Sequence, residues 1–304
     1  MSNILIIGKI PPPIGGVTTF VLRQVTYMKQ KGNNVELFPL FSLSDIKVLI
    51  NILLHRYDSY QLNAISLPIL IFFMLTCNLR KVEVVDHNHS RHFKNNLVTK
   101  LKLWLLRHTN KVCLVDKHLK SNYPTDFINF SVINPFLPPT EGERSNAVNN
   151  IPHDIKEFAN GKGKIIVLSA WRYIEEDGIE LYGLNQAVNS FLAIESKLNG
   201  VGVVICIGDS TYNTDKIKAL KLLATSSNNI MFWEGCSASW ALFTNNTLYL
   251  RPTSTDGNSI SIHEALYFQA KVLASDVVDR PDGCTTYQYR NNQDLQNQIL
   301  NILE

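Results

Sequence analysis

The chain has 304 residues, 45% of them hydrophobic and 18% charged. At roughly 150 residues per domain this predicts two domains, and it excludes both a disulfide-stapled miniprotein and general disorder. The net charge is only +3, but residues 1–139 carry 16 basic and 7 acidic side chains (+9), whereas residues 140–304 carry 13 and 19 (−6). The basic half expects an anionic partner or surface. Five cysteines (Cys77, Cys113, Cys206, Cys236, Cys284), widely spaced and without a CxxC, encode neither a disulfide framework nor a zinc site and fit a reducing cytoplasm.

In chain order, short apolar runs alternate with longer amphipathic stretches, the pattern of βα units around a parallel sheet. MSNILIIGKIPPP lacks the features of a signal peptide and reads as a strand. The first half offers strands at Ile4–Gly8, Val35–Pro39, Tyr60–Ile65, Val82–Asp86 and Lys111–Val115. The most apolar run, Leu67–Cys77, is about half the ~20 residues of a spanning helix and predicts a buried one. A further run, Phe130–Asn134, ends in PFLPP, where helix and sheet both become difficult. Residues 1–140 therefore read as one domain, and 141–163 as a polar linker with one short helix. The rhythm restarts over 164–304, with strands at Lys164–Ser169, Gly202–Gly208, Ile230–Trp233, Thr247–Leu250 and Lys271–Ser275.

Ligands of such sheets bind beyond the carboxyl ends of the strands. After the first strand comes PPPIGG (11–16), whose Gly15 and Gly16 allow a close backbone approach at a helix start; a tight turn explains two glycines equally well. GxGxxG is absent, so this is not a dinucleotide fingerprint. The most informative stretch is LRPTSTDGNSISIHEAL (250–266), a strand end, a polar loop and a helix starting near Ser259. Its backbone donors suit a diphosphate. Glu264 lies roughly 7 to 8 Å further along the helix, about the reach to a ribose, while Asp256 stands at the sugar end.

This stretch, followed by AKVLASD (270–276), resembles the E-x7-E segment of the family 4 glycosyltransferases, which have the GT-B fold. PPPIGGV resembles that family's acceptor-domain glycine loop, and VICIGD (204–209) and IMFWEG (230–235) resemble its strand-end segments around the nucleotide. The resemblance implies two Rossmann-like doubly wound domains facing a central cleft. It also implies transfer of a sugar from a nucleotide diphosphate, UDP being the commonest base, with retention of configuration. No metal and no other cofactor is expected.

Carried over by position, Glu264 binds the ribose, Asp256 replaces the first glutamate near the donor sugar, and the 257–260 backbone (Gly257, Asn258, Ser259, Ile260) holds phosphate and sugar. Gly208 belongs to a strand-end segment at the nucleotide. Asp256 departs from the pattern by one methylene. Arg172 is the phosphate-facing base, and Tyr182 stands where the family has a Lys. In VVDHNHSR (84–91), His89 followed by Ser90 is the closer match to the family's histidine, with His87 in reserve.

Between Arg91 and Lys120 eight basic residues face one acid, Asp116, around a stripe of Leu97, Val98, Leu101, Trp104 and Leu105. The stripe reads as a core-facing helix. The charge points to anionic membrane or a polyprenyl-diphosphate-linked glycan acceptor, and no recognition module supports nucleic acid. The expectation is a cytoplasmic enzyme of bacterial envelope polysaccharide synthesis (O-antigen or capsule), with peripheral contact at the inner face of the plasma membrane. A catalytically silent donor-binding subunit and a GT-B nucleotide-sugar epimerase stay open as alternatives.

Overall fold

A computed structural model describes residues 1–11, 15–39 and 46–304, so Pro12, Pro13 and Ile14 of the proline–glycine loop lie outside the described residues. The chain divides into two units, Met1–Leu137 and Pro138–Glu304.

The first unit runs β1 (Asn3–Ile7), α1 (Gly16–Gln30), β2 (Asn34–Phe38), α2 (Ile46–Leu53), β3 (Ser59–Leu62), α3 (Leu67–Leu75), β4 (Val82–Asp86), α4 (Leu97–Arg107), β5 (Lys111–Leu114) and β6 (Phe130–Val132). Its six strands are all parallel in the order β2-β1-β3-β4-β5-β6. The strand order reverses between β1 and β3, the topological switch point of such sheets. Leu5, Ile6, Val84 and Val112 are wholly buried, as strands with both faces covered require. The run 67–75 is helical as expected. Leu70 and Phe73 are buried but Leu75 is exposed, so it is a surface-packed helix. Among the described residues no helix is long and apolar enough to cross a membrane.

The expectation for α4 needs correction. Asn96 caps it, its side chain accepting from the Thr99 amide at 2.8 Å, and Leu105 is wholly buried. Leu97 (82% exposed), Val98, Leu101 and Trp104 (50%) are turned to solvent. Most of the stripe is therefore a surface.

The second unit opens with α5 (Glu141–Asn149) and α6 (His153–Asn160), where a linker was expected. Ala147 and Ile155 are buried in one cluster with Ile165 and Val204, and Phe158 and Ala159 pack against it, which makes these helices part of the unit. Then follow β7 (Lys164–Ala170), the hairpin β8 (Glu175–Glu176) and β9 (Ile179–Glu180), α7 (Leu184–Ile194), β10 (Val201–Ile207), α8 (Thr214–Ala224), β11 (Ile230–Glu234), β12 (Thr247–Arg251), α9 (Ile260–Tyr267), β13 (Lys271–Ser275), β14 (Cys284–Tyr287) and α10 (Asn292–Leu303). The hairpin turns on Asp177 and Gly178, both at positive φ, a pairing suited to a tight two-residue turn. The main sheet is parallel in the order β11-β10-β7-β12-β13-β14, the doubly wound arrangement with its switch point between β7 and β12. Alternate residues feed two cores: Ile166 and Leu168 meet Phe191 and Leu295 on one face, while Val167 and Tyr249 meet Ile262 on the other. β14 was not foreseen.

Candidate functional site

In the second unit two helices start at the β7/β12 switch point, and their N-termini differ. That of α7 is filled from within. The Glu180 carboxylate accepts from the backbone amides of Leu184 (2.6 Å) and Asn185 (3.0 Å) and from the Asn185 side chain (3.0 Å). Burial pushes the Glu180 carboxyl above its ordinary range, and these three bonds oppose that shift. An internal anion thus occupies the place where a dinucleotide-binding sheet would hold phosphate.

The N-terminus of α9 is instead lined by hydroxyl and amide side chains. Ser259 places no side-chain cap on the helix; its hydroxyl lies 3.0 Å from that of Ser261. Ser261 in turn accepts from the wholly buried Tyr249 (2.8 Å), which lies 2.8 Å from the Ser169 hydroxyl. A chain of hydroxyls therefore runs from the end of β7 beneath the start of α9. Asn258 is held by His263, 2.6 Å away, whose imidazole is kept below its ordinary pKa by burial. Gly257 faces open space, with no atom within 4 Å of where a Cβ would stand. Glu264 is buried at 6% exposure inside α9.

Asp256, expected at the sugar end, anchors the loop in this structure. Its Oδ2 accepts from Arg251 Nε (3.1 Å) and Arg280 Nη1 (2.8 Å), and its Oδ1 accepts from Arg251 Nη2 (3.1 Å) and the Gly257 amide (3.1 Å). Burial alone would raise this carboxyl, but the two guanidinium groups outweigh it and hold it below the usual carboxylate range. Arg280, itself 3% exposed along its side chain, also donates to the Ser275 carbonyl at 2.9 Å. The loop is thereby clamped to the end of β13. Its other side rests on the segment leading into α7: Ser254 donates to the Leu181 carbonyl (2.9 Å), and a Cβ on Gly183, at φ +64°, would stand 2.1 Å from the Pro252 oxygen. Gly183 is thus required both by backbone conformation and by close approach. Two guanidinium groups thus converge on one carboxylate beneath the loop.

Arg172 projects beyond β7 and pairs with Asp209 at 2.7 Å, its guanidinium lying against Tyr212 and Trp171. Gly208 has a packing explanation: a Cβ there would stand 2.3 Å from the Trp171 indole. Tyr182, at the expected lysine position, carries the Arg251 guanidinium 5.4 Å from its ring centre, so the cation at this spot comes from β12. Arg280 and Tyr249 escaped the sequence reading, since neither stands in a recognisable motif.

The remaining expected residues belong to the first unit. Gly15 precedes α1 and Gly16 opens it; the Gly15 amide donates to the Thr18 hydroxyl at 3.1 Å. His89 sits in a single tight turn after β4. Buried Asp86 fixes that turn by accepting from the His89 and Ser90 amides (2.7 and 3.3 Å) and from the Tyr123 hydroxyl (2.9 Å). The His89 imidazole is lowered by burial, which outweighs the raising effect of Asp86, and its Nδ1 is buried without a hydrogen-bond partner. His87 is more enclosed, edge-on to Phe20 and 3.2 Å from Asn63, with its pKa pulled down to about 3, chiefly by burial. Among the described residues no group of three or more His, Cys, Asp or Glu could hold a metal ion.

No protein-family model matches the chain, and no curated protein matches it by sequence. Solved structures do. HepE from Anabaena, in complex with UDP and glucose, is 13% identical over 100% of this chain and 90% of its own, with a TM-score of 0.65. A glycosyltransferase from Rickettsia africae is 13% identical over 99% and 88%, also at 0.65. A UDP-forming alpha,alpha-trehalose-phosphate synthase from Burkholderia vietnamiensis is 10% identical over 100% and 89%, at 0.61. These likenesses show the fold: the chain has the GT-B architecture of two Rossmann-like units.

Proposed function

We propose that the chain is a glycosyltransferase that takes a sugar from a nucleotide diphosphate, UDP before other bases, and passes it with retention to a glycan or lipid-linked glycan in bacterial envelope polysaccharide synthesis such as O-antigen or capsule. The observation that carries this reading is the pair of helix starts at the β7/β12 switch point, one stoppered by Glu180 and the other without a cap from its Ser259 side chain and set above the Arg251–Asp256–Arg280 cluster. A fold shared with structures holding UDP supports it.

In this reading the backbone of Gly257, Asn258, Ser259 and Ile260 receives the diphosphate, and Glu264 accepts both ribose hydroxyls. Arg251 and Arg280 stabilise the charge that grows as the glycosidic bond breaks. Asp256 is a positioning residue, since its bonds to both arginines set the loop. Arg172, together with Gly208 beside it, borders the nucleotide; His89, with Gly15 and Gly16, serves the acceptor side. The acceptor attacks from the face the diphosphate leaves, and a phosphate oxygen takes its proton, so no protein nucleophile is needed. The protein contributes position and electrostatics, with no metal or other cofactor.

The exposed face of α4 (Leu97, Val98, Leu101, Trp104), flanked by Lys94, Lys100 and Arg107, suits peripheral contact with an anionic membrane at the cytoplasmic side. Co-sedimentation with vesicles containing anionic lipid, lost in Leu97→Glu, tests this contact.

The donor site is tested by titrating UDP into Glu264→Ala. Affinity should fall at least tenfold, on the basis of about 1.5 to 3 kcal/mol for hydrogen bonds to a charged group; unchanged affinity removes the ribose assignment. The consumption of Asp256 by two arginines favours a second reading, a donor-binding subunit without turnover. Release of UDP on adding acceptor separates the two.

A further inference from the structure

A cavity of about 750 Å³ opens in the first unit at the β1/β3 switch point. This is where a doubly wound sheet places its ligand, and the volume lies within the range of small-molecule sites. Its walls are mostly apolar: Ile7 at the end of β1, Ile52 of α2, and Ile69 and Phe72 of α3. Lys9, Thr18, Asn63, Ser66 and His89 also border it. A sugar ring sunk among such walls would lose its bonds to water and find few replacements, at a cost of about 1 to 3 kcal/mol for each unpaired hydroxyl. A hydrocarbon chain meets no such penalty and gains from every methylene buried. The basic surroundings, +9 over residues 1–139, and Lys9 at the border complement an anionic head.

We propose that this cavity takes the hydrocarbon chain of an amphiphilic acceptor whose phosphate head lies at the Lys9 and His89 side. The inference rests on the reading of the first unit as the acceptor half of a transferase, and it narrows that acceptor to a lipid phosphate or diphosphate carrier. The outer faces of neighbouring helices agree with it, since Ile46, Ile50 and Leu53 of α2 and Leu75 of α3 are exposed apolar residues through which a membrane-held chain could approach.

The test is calorimetric titration of the full chain, without nucleotide, with butyl, octyl and dodecyl phosphate below their micelle-forming concentrations. Affinity should rise at least tenfold from butyl to octyl, given about 0.8 kcal/mol for each buried methylene. It should exceed that for octyl glucoside, which shares the chain but not the charge. Ala64→Trp, which fills the cavity from its wall, should lose at least tenfold in octyl phosphate affinity while UDP affinity is unchanged. If Ala64→Trp does not fold, the chain-length series on the natural protein decides alone. Affinity independent of chain length, or equal binding of octyl glucoside, overturns the proposal. UDP binding without any alkyl phosphate binding sinks the cavity assignment and leaves the donor site standing; alkyl phosphate binding without UDP binding does the reverse.

Discussion

The two units share a plan, six parallel strands wound with helices, yet the mouths of their sheets have opposite chemistry. At the β1/β3 switch point of the first, Ile7, Ile52 and Phe72 surround an apolar cavity bordered by Lys9 and His89. At the β7/β12 switch point of the second, hydroxyls, two arginines and an aspartate are tied together, and the α7 start is stoppered by Glu180 while Ser259 leaves the α9 start without a side-chain cap. Architecture decides where a ligand sits, and the few residues after each strand decide which ligand it can be.

The largest effect that would break this contrast comes from Asp256→Ala. Removing the carboxylate leaves Arg251 and Arg280, both largely buried, without their partner, and the second unit should lose about 3 to 5 kcal/mol of stability, measured by denaturant unfolding. A loss below about 1 kcal/mol would mean that the clamp is not what holds the loop.

The next separates the units by pH. His87 is lowered to about 3 from the 6.5 of an unconstrained histidine. Between those values the unfolded chain binds a proton that the folded chain refuses, so stability is retained above about pH 6.5 and falls as the pH drops toward 3. His87→Gln, neutral throughout, should flatten this part of the profile by on the order of 4 kcal/mol at pH 3. An unaltered acid profile would show that His87 is not enclosed.

Gly208→Ala should cost about 1 to 3 kcal/mol, because the new methyl group meets Trp171 at 2.3 Å. It should also shift tryptophan fluorescence as the indole moves; a silent substitution would reopen Gly208 as a ligand-facing glycine. Glu180→Ala should be mildest, about 1 kcal/mol for a lost helix cap, and it should create a second anion site at α7, read as added sulfate affinity.

Most of the strands were legible because buried parallel strands are written as apolar runs, and the loop before α9 was legible because Gly257, Asn258 and Ser259 stand between a strand and a helix. What escaped reading lacked a local signal. β14 is CTTY, with only Tyr287 buried, and α5 and α6 bury little beyond Ala147 and Ile155. Arg280 reaches Asp256 across 24 residues of chain, a pairing no spacing rule contains. The α4 stripe was misread for the opposite reason: periodicity identifies an apolar face but not whether protein covers it.

The central claim is that an activated nucleotide is held at the start of α9. Hydrogen–deuterium exchange with and without saturating UDP tests it most directly. Exchange should slow across residues 252–264 of the second unit, with the α7 start and the cavity segments around Ile7 and Phe72 unchanged. Protection confined to the first unit, or none anywhere at saturation, would contradict it.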